Sequence, residues 1–393
     1  MKRVSLASET ITRTDLEMAS AWLLSGAQLT KGPETLKFET QFASRIGSKY
    51  AVYVNSGSSA NLLVASALLQ SNYLRNKRVI CPAVSWVTTV TPFIQLGFEV
   101  FLCDADENSL GLDVDHLERL IEEHDPGVIV LVHVLGHPND MARIRDLADQ
   151  NDILLVEDTC EALGTTIPEG QGLGTLGLAG TFSLYYGHHI STIEGGMVVT
   201  DDYDFFQLAL SIRSHGWSRD LGEETRHQLA SINGVDPFRN LYTFYYEGFN
   251  LRPTDFQAVL GQVQLGHLGR IIDSRQSNFL FYRELLSKYW SQESEFDTIS
   301  SFAYGTLVAD PQRVAAELSS KGVESRPLIC GNIARQPFWL KNHSRIPYPV
   351  ADIVHDHGIY LPNHAELSLE DIEYVAEIFQ TIAEPFLFRK MPR

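Results

Sequence analysis

The sequence predicts an α/β protein with a mostly parallel β-sheet covered by helices on both faces, followed by a smaller C-terminal α/β unit. Two observations predict this class. From about residue 50 to 200, short β-rich runs alternate with helical patterns, and a long helical stretch over residues 254–289 then separates this region from the remainder. Such alternation is typical of parallel strands joined by helical crossovers. We predict a large domain over residues 1–250, including an N-terminal helical segment, and a long linking helix with a small α/β domain over residues 251–393.

Each element of the large domain is assigned from one run of residues. The predicted strands are, in order, "YAVYVNS", "RVICPA", "EVFLCDA", "GVIVLVHV", "DILLVED", "GTFSLYY" and "GMVVTDD". The predicted helices are "SANLLVASALLQ", "VDHLERLIEEH", "DMARIRDLADQ" and "DYDFFQLALSIRS". Functional loops are expected at the carboxyl ends of the strands. Residues 217–246 interrupt this alternation of strands and helices with turn residues and aromatics. We therefore predict that they form an excursion, a segment that leaves the main domain and can reach a neighbouring subunit.

Composition excludes several classes of function. The 393 residues are 44% hydrophobic and 20% charged, as in ordinary globular proteins. The formal net charge of -18 argues against nucleic acid and membrane surfaces as partners. No apolar leader follows the N-terminal charges, so a cytoplasmic protein is expected. Its four isolated cysteines lack the spacing of a metal or iron-sulfur site, and we predict that they are buried and that no metal is bound.

A candidate phosphate cradle lies in "VNSGSSANLL", residues 54–63. Gly57 permits a sharp turn between a strand and a helix, while the amides of Ser58 and Ser59 and the helix dipole favour an anion. Serines also cap helices with no ligand present, and this segment alone fits that simpler interpretation.

Three further side chains follow predicted strands. Asp158 ends an apolar strand, where its carboxylate needs a cationic partner such as a protonated heterocycle nitrogen; an internal salt bridge or a helix N-cap would also satisfy it. Trp86 could stack on a flat ring or belong to the core. The Ser183 hydroxyl could bind a phosphate or a backbone carbonyl.

The stretch "GHHISTIEGG", residues 187–196, reads as the loop at the end of the strand "GTFSLYY". His188 is therefore expected at a strand end, where chemistry is usually found in α/β proteins. If the strand persists, His189 projects to the opposite side and has a structural role.

Together these segments resemble the fold-type I pyridoxal phosphate (PLP) enzymes, specifically the DegT/DnrJ/EryC1 family of nucleotide-sugar aminotransferases. The matching blocks extend over nearly the whole chain and include "PAVSWVTT", "VEDTCEALGT", "IEGGMVVTDD", "GFNLRPTDFQAVLGQVQL", "VESRPL" and "GIYLPNH". The resemblance implies a homodimer with the active site at the subunit interface. The residues that it implies for cofactor binding are Gly57, Ser58, Trp86, Asp158, Glu161, Ser183, His215 and Asn250, the last reaching in from the second subunit.

Within this set, Ser183 would join the glycine and serine of the cradle on the cofactor phosphate, Trp86 would cover the ring, and Asp158 would pair with the pyridinium nitrogen. His215 could equally be an ordinary histidine at a helix end. Arg219 and Arg326 are candidates for binding a nucleotide diphosphate, although exposed arginines often bind nothing specific.

The chain departs from the family at its central lysine. The family pattern is S-F-F-x-x-K where this chain has "SLYYGH", and no lysine occurs between Lys77 and Lys288. Histidine cannot hold the PLP aldehyde covalently, but with an ordinary pKa of about 6.5 it can act as a base. His188 is thus the predicted catalytic residue of a β-elimination.

This replacement resembles the 3-dehydratases of 3,6-dideoxysugar synthesis. It implies pyridoxamine phosphate (PMP) as the working cofactor, L-glutamate as amino donor, release of ammonia, and a nucleotide-linked 4-keto-6-deoxy sugar as substrate, in the first place GDP-4-keto-6-deoxymannose. The related dehydrases with an iron-sulfur cluster carry clustered thiols that this chain lacks. Gly187 stands where a small hydroxyl residue is expected. Two alternatives remain: an aminotransferase that works without the lysine, and a non-catalytic regulatory or binding homologue.

Overall fold

The computed structural model describes residues 2–388 and contains one seven-stranded sheet in the order β1-β7-β6-β5-β4-β2-β3. Its strands are β1 (Tyr50–Val54), β2 (Arg78–Pro82), β3 (Glu99–Cys103), β4 (Val128–Val132), β5 (Leu154–Asp158), β6 (Ala179–Ser183) and β7 (Gly196–Thr200). Strand β7 runs antiparallel to both of its neighbours, and the other adjacent pairs are parallel. The predicted α/β class with a mixed, mostly parallel sheet is confirmed.

Helices cover both faces of this sheet. They are α1 (Arg13–Leu24), α2 (Pro33–Ile46), α3 (Gly57–Gln70), α4 (Val87–Gln95), α5 (Val114–His124), α6 (Met141–Gln150) and α7 (Tyr203–Arg213). Strand β4 shows why two layers are needed, since all five of its residues are buried and successive side chains point to opposite faces. Val130 packs in the core under α3 and α4, whereas Ile129 and Leu131 pack in the core under α5 and α6. A continuous apolar strand therefore encodes a sheet buried on both sides.

The predicted strand "GTFSLYY" is shorter in the structure than in the sequence-based assignment. Strand β6 starts at Ala179 and ends at Ser183. Beyond it the chain doubles back, since the amide of Leu184 donates to Gly195 (2.9 Å) and the amide of Thr192 donates to Leu184 (2.9 Å). Gly187 has φ +95°, a conformation that favours glycine. His188 and His189 therefore lie in a turn, and the argument from strand alternation does not apply to them.

The C-terminal part is built on helix α9 (Asp255–Leu285), which follows a capping box formed by Thr254 and Gln257. Helix α9 packs against α2 at the large sheet and against α13 (Leu369–Ile382) in the C-terminal part. A three-stranded antiparallel sheet in the order β8-β10-β9 completes this region, and it has its own apolar core. Its elements are β8 (Tyr304–Leu307), α10 (Pro311–Ser320), β9 (Arg326–Pro327), α11 (Pro337–Leu340), α12 (Pro349–His357) and β10 (Gly358–Leu361). The division of the chain at residue 250 stays a prediction.

Residues 217–246 form an excursion from the sheet. The segment contains α8 (Glu223–Ile232), which has no buried residue, flanked by short 3₁₀ turns at Ser218–Asp220 and Arg239–Tyr242. Several of its aromatic side chains are exposed, among them Phe238, Tyr242 and Phe244. Among residues 2–388, no helix combines the length and the apolarity needed to span a bilayer.

Candidate active site

The candidate site is built at the carboxyl end of the large sheet, where the six strands β1 to β6 of common direction end. Gly57 follows β1, Trp86 follows β2, Asp158 ends β5 and Ser183 ends β6. His188 lies in the turn after β6. Residues separated by more than 100 positions in the chain thus meet at one edge, as expected for ligand sites in open α/β sheets.

The cradle depends on a close approach between α3 and β6. A Cβ atom on Gly57 would lie 2.6 Å from Cβ of Ser183, so only glycine fits there. The Ser56 side chain accepts from the amide of Ser59 (3.0 Å), so the prediction that this amide can bind an anion is corrected. In the part of the chain that the structure describes, the amides of Gly57 and Ser58 and the Ser183 hydroxyl form no hydrogen bond. These donors lie at the N-terminal end of α3, where the helix dipole is positive, and they fit a phosphate group.

Asp158 is held by neutral donors. Its side chain is buried, and one carboxylate oxygen accepts from Asn61 (2.8 Å) and from the Thr89 hydroxyl (2.7 Å). The other oxygen accepts from the amide of Cys160 (3.2 Å). Among residues 2–388 it forms neither the salt bridge nor the helix N-cap that the sequence left open. A buried carboxylate held this way fits a cationic ring nitrogen.

Asn61 and Thr89 are functional residues that sequence reasoning missed. Thr181 supports Asn61 in turn by donating to its side-chain oxygen (2.6 Å). The only sequence signal is weak: a polar Asn61 stands within the otherwise apolar run of α3, where burial demands a partner.

The His188 ring is oriented by a backbone carbonyl. Its Nδ1 lies 2.8 Å from the carbonyl oxygen of Cys160. Because a carbonyl can only accept, Nδ1 carries the hydrogen, and in the neutral ring Nε2 keeps its lone pair. Burial is the largest cause of a lowered His188 pKa, the Cys160 carbonyl and the Asp158 charge oppose it, and the Arg275 charge adds to it, so that the pKa is lowered to about 4. The ring is therefore neutral at pH 7 and available as a proton acceptor.

Glu161 is a second titratable group of unusual state. One of its carboxyl oxygens accepts from the amide of Leu135 (2.8 Å), in the turn after β4. Burial is the largest cause of a raised Glu161 pKa, the Leu135 amide opposes it and the nearby Asp158 charge adds to it, so that the pKa is raised to about 8. At neutral pH this carboxyl is mostly protonated, so it can donate a hydrogen bond toward a bound group.

Trp86 directly precedes α4 and is 56% exposed, which is high for an indole and leaves a face free for stacking on a ring. The cradle, the buried Asp158 and the free face of Trp86 together fit the phosphate, the ring nitrogen and the ring of PLP or PMP. His189 instead binds the Ser300 carbonyl through Nε2 (2.8 Å) and is fully buried, which agrees with a structural role.

The four other predicted site residues are His215, Arg219, Asn250 and Arg326. None of them forms a hydrogen bond or an ion pair with Gly57, Asp158 or His188. Arg252 bridges two of them, since it donates to the Asn250 side chain (3.0 Å) and lies 3.4 Å from Nε2 of His215. Arg219 is exposed and covers the Trp217 ring at 5.3 Å. Arg326, on β9, is exposed and donates to the neighbouring Ser325 carbonyl. Their roles in binding stay predictions.

The cysteines differ from the prediction that all four are buried. Cys81 and Cys103 are buried, whereas Cys160 and Cys330 are partly exposed, since both lie in turns near the site. Among residues 2–388, no three His, Cys, Asp or Glu side chains are grouped as metal ligands.

The chain is similar to known proteins over nearly its whole length. Residues 10–380 match the DegT/DnrJ/EryC1/StrS aminotransferase family. GDP-4-keto-6-deoxy-D-mannose 3-dehydratase of Yersinia pseudotuberculosis is 36% identical over 375 residues, which cover 91% of this chain and 93% of that protein. A GDP-4-keto-6-deoxymannose-3-dehydratase variant with a histidine-to-asparagine substitution and bound GDP-perosamine superposes with a TM-score of 0.89 at 32% identity, covering 95% of this chain and 99% of that chain. A structure of that dehydratase with a trapped PLP-glutamate geminal diamine gives a TM-score of 0.86 at 32% identity, covering 96% and 100%.

The fold is thus that of the PLP-dependent aminotransferases, and the similar proteins include enzymes that act on nucleotide sugars. The chain belongs to the DegT/DnrJ/EryC1/StrS aminotransferase family. The resemblance drawn from the sequence motifs is confirmed.

Proposed function

We propose that the protein is a PLP/PMP-dependent sugar 3-dehydratase that removes the C3 hydroxyl of GDP-4-keto-6-deoxymannose, with L-glutamate as amino donor. One observation carries the proposal: the family's lysine position is taken by His188, whose neutral ring presents a free Nε2 in a site that still has Asp158 and the cradle. The relatives at 36% identity and at a TM-score of 0.89 are dehydratases for this sugar.

Bound PMP supplies an amine that condenses with the sugar ketone and a ring that carries electrons while the hydroxyl leaves. The chain supplies position and proton transfer. Gly57, Ser58 and Ser183 hold the phosphate, and Asp158 holds the ring nitrogen in its protonated form. His188 accepts a proton at Nε2, and the carbonyl of Cys160 stabilises the resulting cation through Nδ1.

Glutamate as the amino donor is supported by the solved relative that holds a PLP-glutamate adduct. The two half-reactions then share one site. Amination by glutamate prepares the cofactor, and dehydration of the sugar consumes its amine, which leaves as ammonia. The product is a 4-keto-3,6-dideoxy sugar, a precursor of colitose and of lipopolysaccharide or capsule.

We infer further that the protein works in the cytoplasm as a homodimer whose sites lie at the subunit interface. The exposed aromatics Phe238, Tyr242 and Phe244 support a contact with a second copy, because such side chains are enriched in protein interfaces. Asn250 lies at the edge of the same excursion and is exposed. In this arrangement Asn250 of the partner subunit completes each site.

Mixed dimers test this arrangement. His188→Asn and Asn250→Ala variants are inactive alone, but mixing them restores about a quarter of the activity, because half of the dimers are mixed and each has one intact site. No recovery after confirmed subunit exchange would contradict the shared site.

Product analysis tests the function itself. Purified protein is incubated with PLP, L-glutamate and GDP-4-keto-6-deoxymannose, and the sugar is analysed by mass spectrometry together with free ammonia. We expect a sugar nucleotide that lacks one oxygen atom and contains no new nitrogen, with one ammonia per sugar. An amino sugar would instead establish a lysine-independent aminotransferase, and no turnover with any GDP-, CDP- or dTDP-linked 4-keto-6-deoxy sugar would favour a non-catalytic homologue.

A further inference from the structure

Helix α9 carries a buried guanidinium that has only neutral partners. Arg275 is 2% exposed and donates to the carbonyls of Phe302 (2.8 Å) and Asn363 (2.7 Å), with a longer contact to Ser301 (3.3 Å). Its second terminal nitrogen lies 3.5 Å from the carbonyl of His188. No carboxylate among residues 2–388 forms an ion pair with it, in contrast to buried Arg213, which pairs with Glu39.

A buried cation without a counter-charge is costly, because the desolvation of a guanidinium is only partly offset by carbonyl dipoles. Burial lowers the pKa of Arg275 to about 10, so the group still carries its charge at neutral pH. A neutral amide side chain could bind the same carbonyls at a lower desolvation cost. The positive charge at this position therefore needs a reason other than the hydrogen bonds to these carbonyls.

The charge of Arg275 affects the pKa values of three histidines. The Arg275 charge lowers the pKa values of His188, His189 and His364, after burial, which is the larger cause for each. At His188 the opposing groups are the carbonyl of Cys160 and the Asp158 charge, and the Phe302 ring is near both the imidazole (5.1 Å between ring centroids) and the guanidinium (5.9 Å). Glu161 beside Asp158 is mostly protonated, and His189 and Tyr185 are further titratable neighbours of the ring.

Asp158 alone would favour an imidazolium at position 188. A histidine that must accept a proton cannot begin protonated. Burial is the larger cause of its neutral state, and the Arg275 charge, held on helix α9, offsets the opposing effect of the Asp158 charge.

We propose that Arg275 is a positioning residue that holds the turn of His188 through its backbone carbonyl and, in addition to burial, offsets the Asp158 charge at the imidazole, so that Nε2 stays ready to accept a proton. The purpose assigned to the neutral ring rests on the proposed dehydratase function, whereas the electrostatic coupling itself concerns this chain alone.

The coupling is measured without turnover by ¹⁵N NMR of histidine-labelled protein, with the His188 resonances assigned from the His188→Asn variant. Arg275→Gln keeps hydrogen-bonding capacity but removes the charge, and we expect it to raise the pKa of His188 by about one unit. Arg275→Lys retains the charge and should leave that pKa near its original value. An unchanged pKa in the Gln variant, or an equal rise in both variants, overturns the proposal.

A second variant covers the case in which Arg275→Gln does not fold. Asn278 is buried one helical turn from Arg275, and Asn278→Asp leaves the guanidinium in place while adding a compensating carboxylate. It should also raise the pKa of His188; no change would overturn the proposal. Should the wild-type protein fail to dehydrate any sugar while these pKa shifts are observed, the dehydratase function fails and the Arg275 coupling stands.

Discussion

His188 differs from a lysine at the same position in two properties, which are the ability to bind the PLP aldehyde covalently and the pKa of the side chain. An imidazole forms no stable covalent bond to the PLP aldehyde, so in the proposed site the cofactor is retained by the cradle, Asp158 and Trp86. The pKa of His188 is lowered to about 4, mainly by burial, so the ring is a proton acceptor at neutral pH, whereas a lysine with its ordinary pKa of about 10.4 would be a cation. A single replacement can therefore change both the anchoring and the proton transfer.

Substitution of His188 by asparagine should separate these two properties. The amide keeps a similar volume and a donor for the Cys160 carbonyl but cannot accept a proton, so we expect dehydration to fall about 10²- to 10⁴-fold while PLP still binds. Product formation and cofactor absorbance measure the two effects. His124→Asn, at the far end of α5, is the control and should keep full activity. Unaltered turnover in the His188 variant would refute its role as the base.

Gly57 is the position where a single methyl group should matter most for cofactor retention. Gly57→Ala would place a Cβ 2.6 Å from Cβ of Ser183, and overpacking of this size costs about 1–3 kcal/mol. We expect the affinity for PLP to fall roughly 10- to 100-fold, as measured by fluorescence titration. Gly266→Ala in α9, with no atom within 4 Å, is the matched control and should bind normally. Equal affinity of the two variants would exclude the proposed cradle.

At the scale of elements, strong periodic patterns were predictable and irregular ones were not. The run "VDHLERLIEEH" corresponds to α5 without a shift, because a capping aspartate precedes a clear apolar stripe. Helix α4 was missed because "VTTVTPFIQ" is rich in β-branched residues and contains Pro92. The partners of Asp158 were also not predictable, since Asn61 and Thr89 lie 97 and 69 positions away in the chain. Only the folded sheet edge brings them together.

The joint between α2, β1 and α7 is a buried ionic contact whose energetics can be tested. Arg213 at the end of α7 is fully buried and donates to Glu39 of α2 and to the carbonyl of Tyr53 (2.8 Å). Arg213→Met should lower the free energy of unfolding by about 3–5 kcal/mol, because it leaves a carboxylate buried without its counter-charge. Urea denaturation measures this. The double variant with Glu39→Gln should recover part of the loss, and strictly additive losses would contradict the coupling.

For the whole molecule, the pKa shifts of several histidines and of Glu161 make the stability depend on pH in opposite directions. Burial lowers the pKa of His137 to about 3 and those of His188 and His364 to about 4. In the unfolded chain these rings bind protons below about pH 6.5. Their contribution to folding is therefore complete above that pH and is lost as the pH falls toward 4. For Glu161, whose pKa is raised to about 8, the contribution is complete below about pH 4.3, the pKa of an unfolded glutamate, and is lost progressively as the pH rises to 8.

Thermal unfolding should accordingly show a maximum near neutral pH. We expect the Tm to fall by roughly 5 °C between pH 7 and pH 5, since charging buried histidines favours the unfolded chain. Glu161→Gln should remove the decline between about pH 6.5 and pH 8 and steepen the fall below about pH 6.5, because the Glu161 carboxyl binds a proton only in the folded chain over this range. A Tm that stays constant down to pH 4.5 would show that these histidines are not buried in the neutral form.

The proposed function depends on a cofactor that no lysine of this chain holds covalently. Protein loaded with PLP in the absence of an amino donor, freed of excess cofactor and treated with borohydride, can be weighed as an intact chain. The predicted result is the mass of the unmodified chain, with the reduced cofactor recovered free in solution. One pyridoxyl group fixed per subunit on a single lysine would contradict the account, since the site would then possess the anchor that His188 replaces.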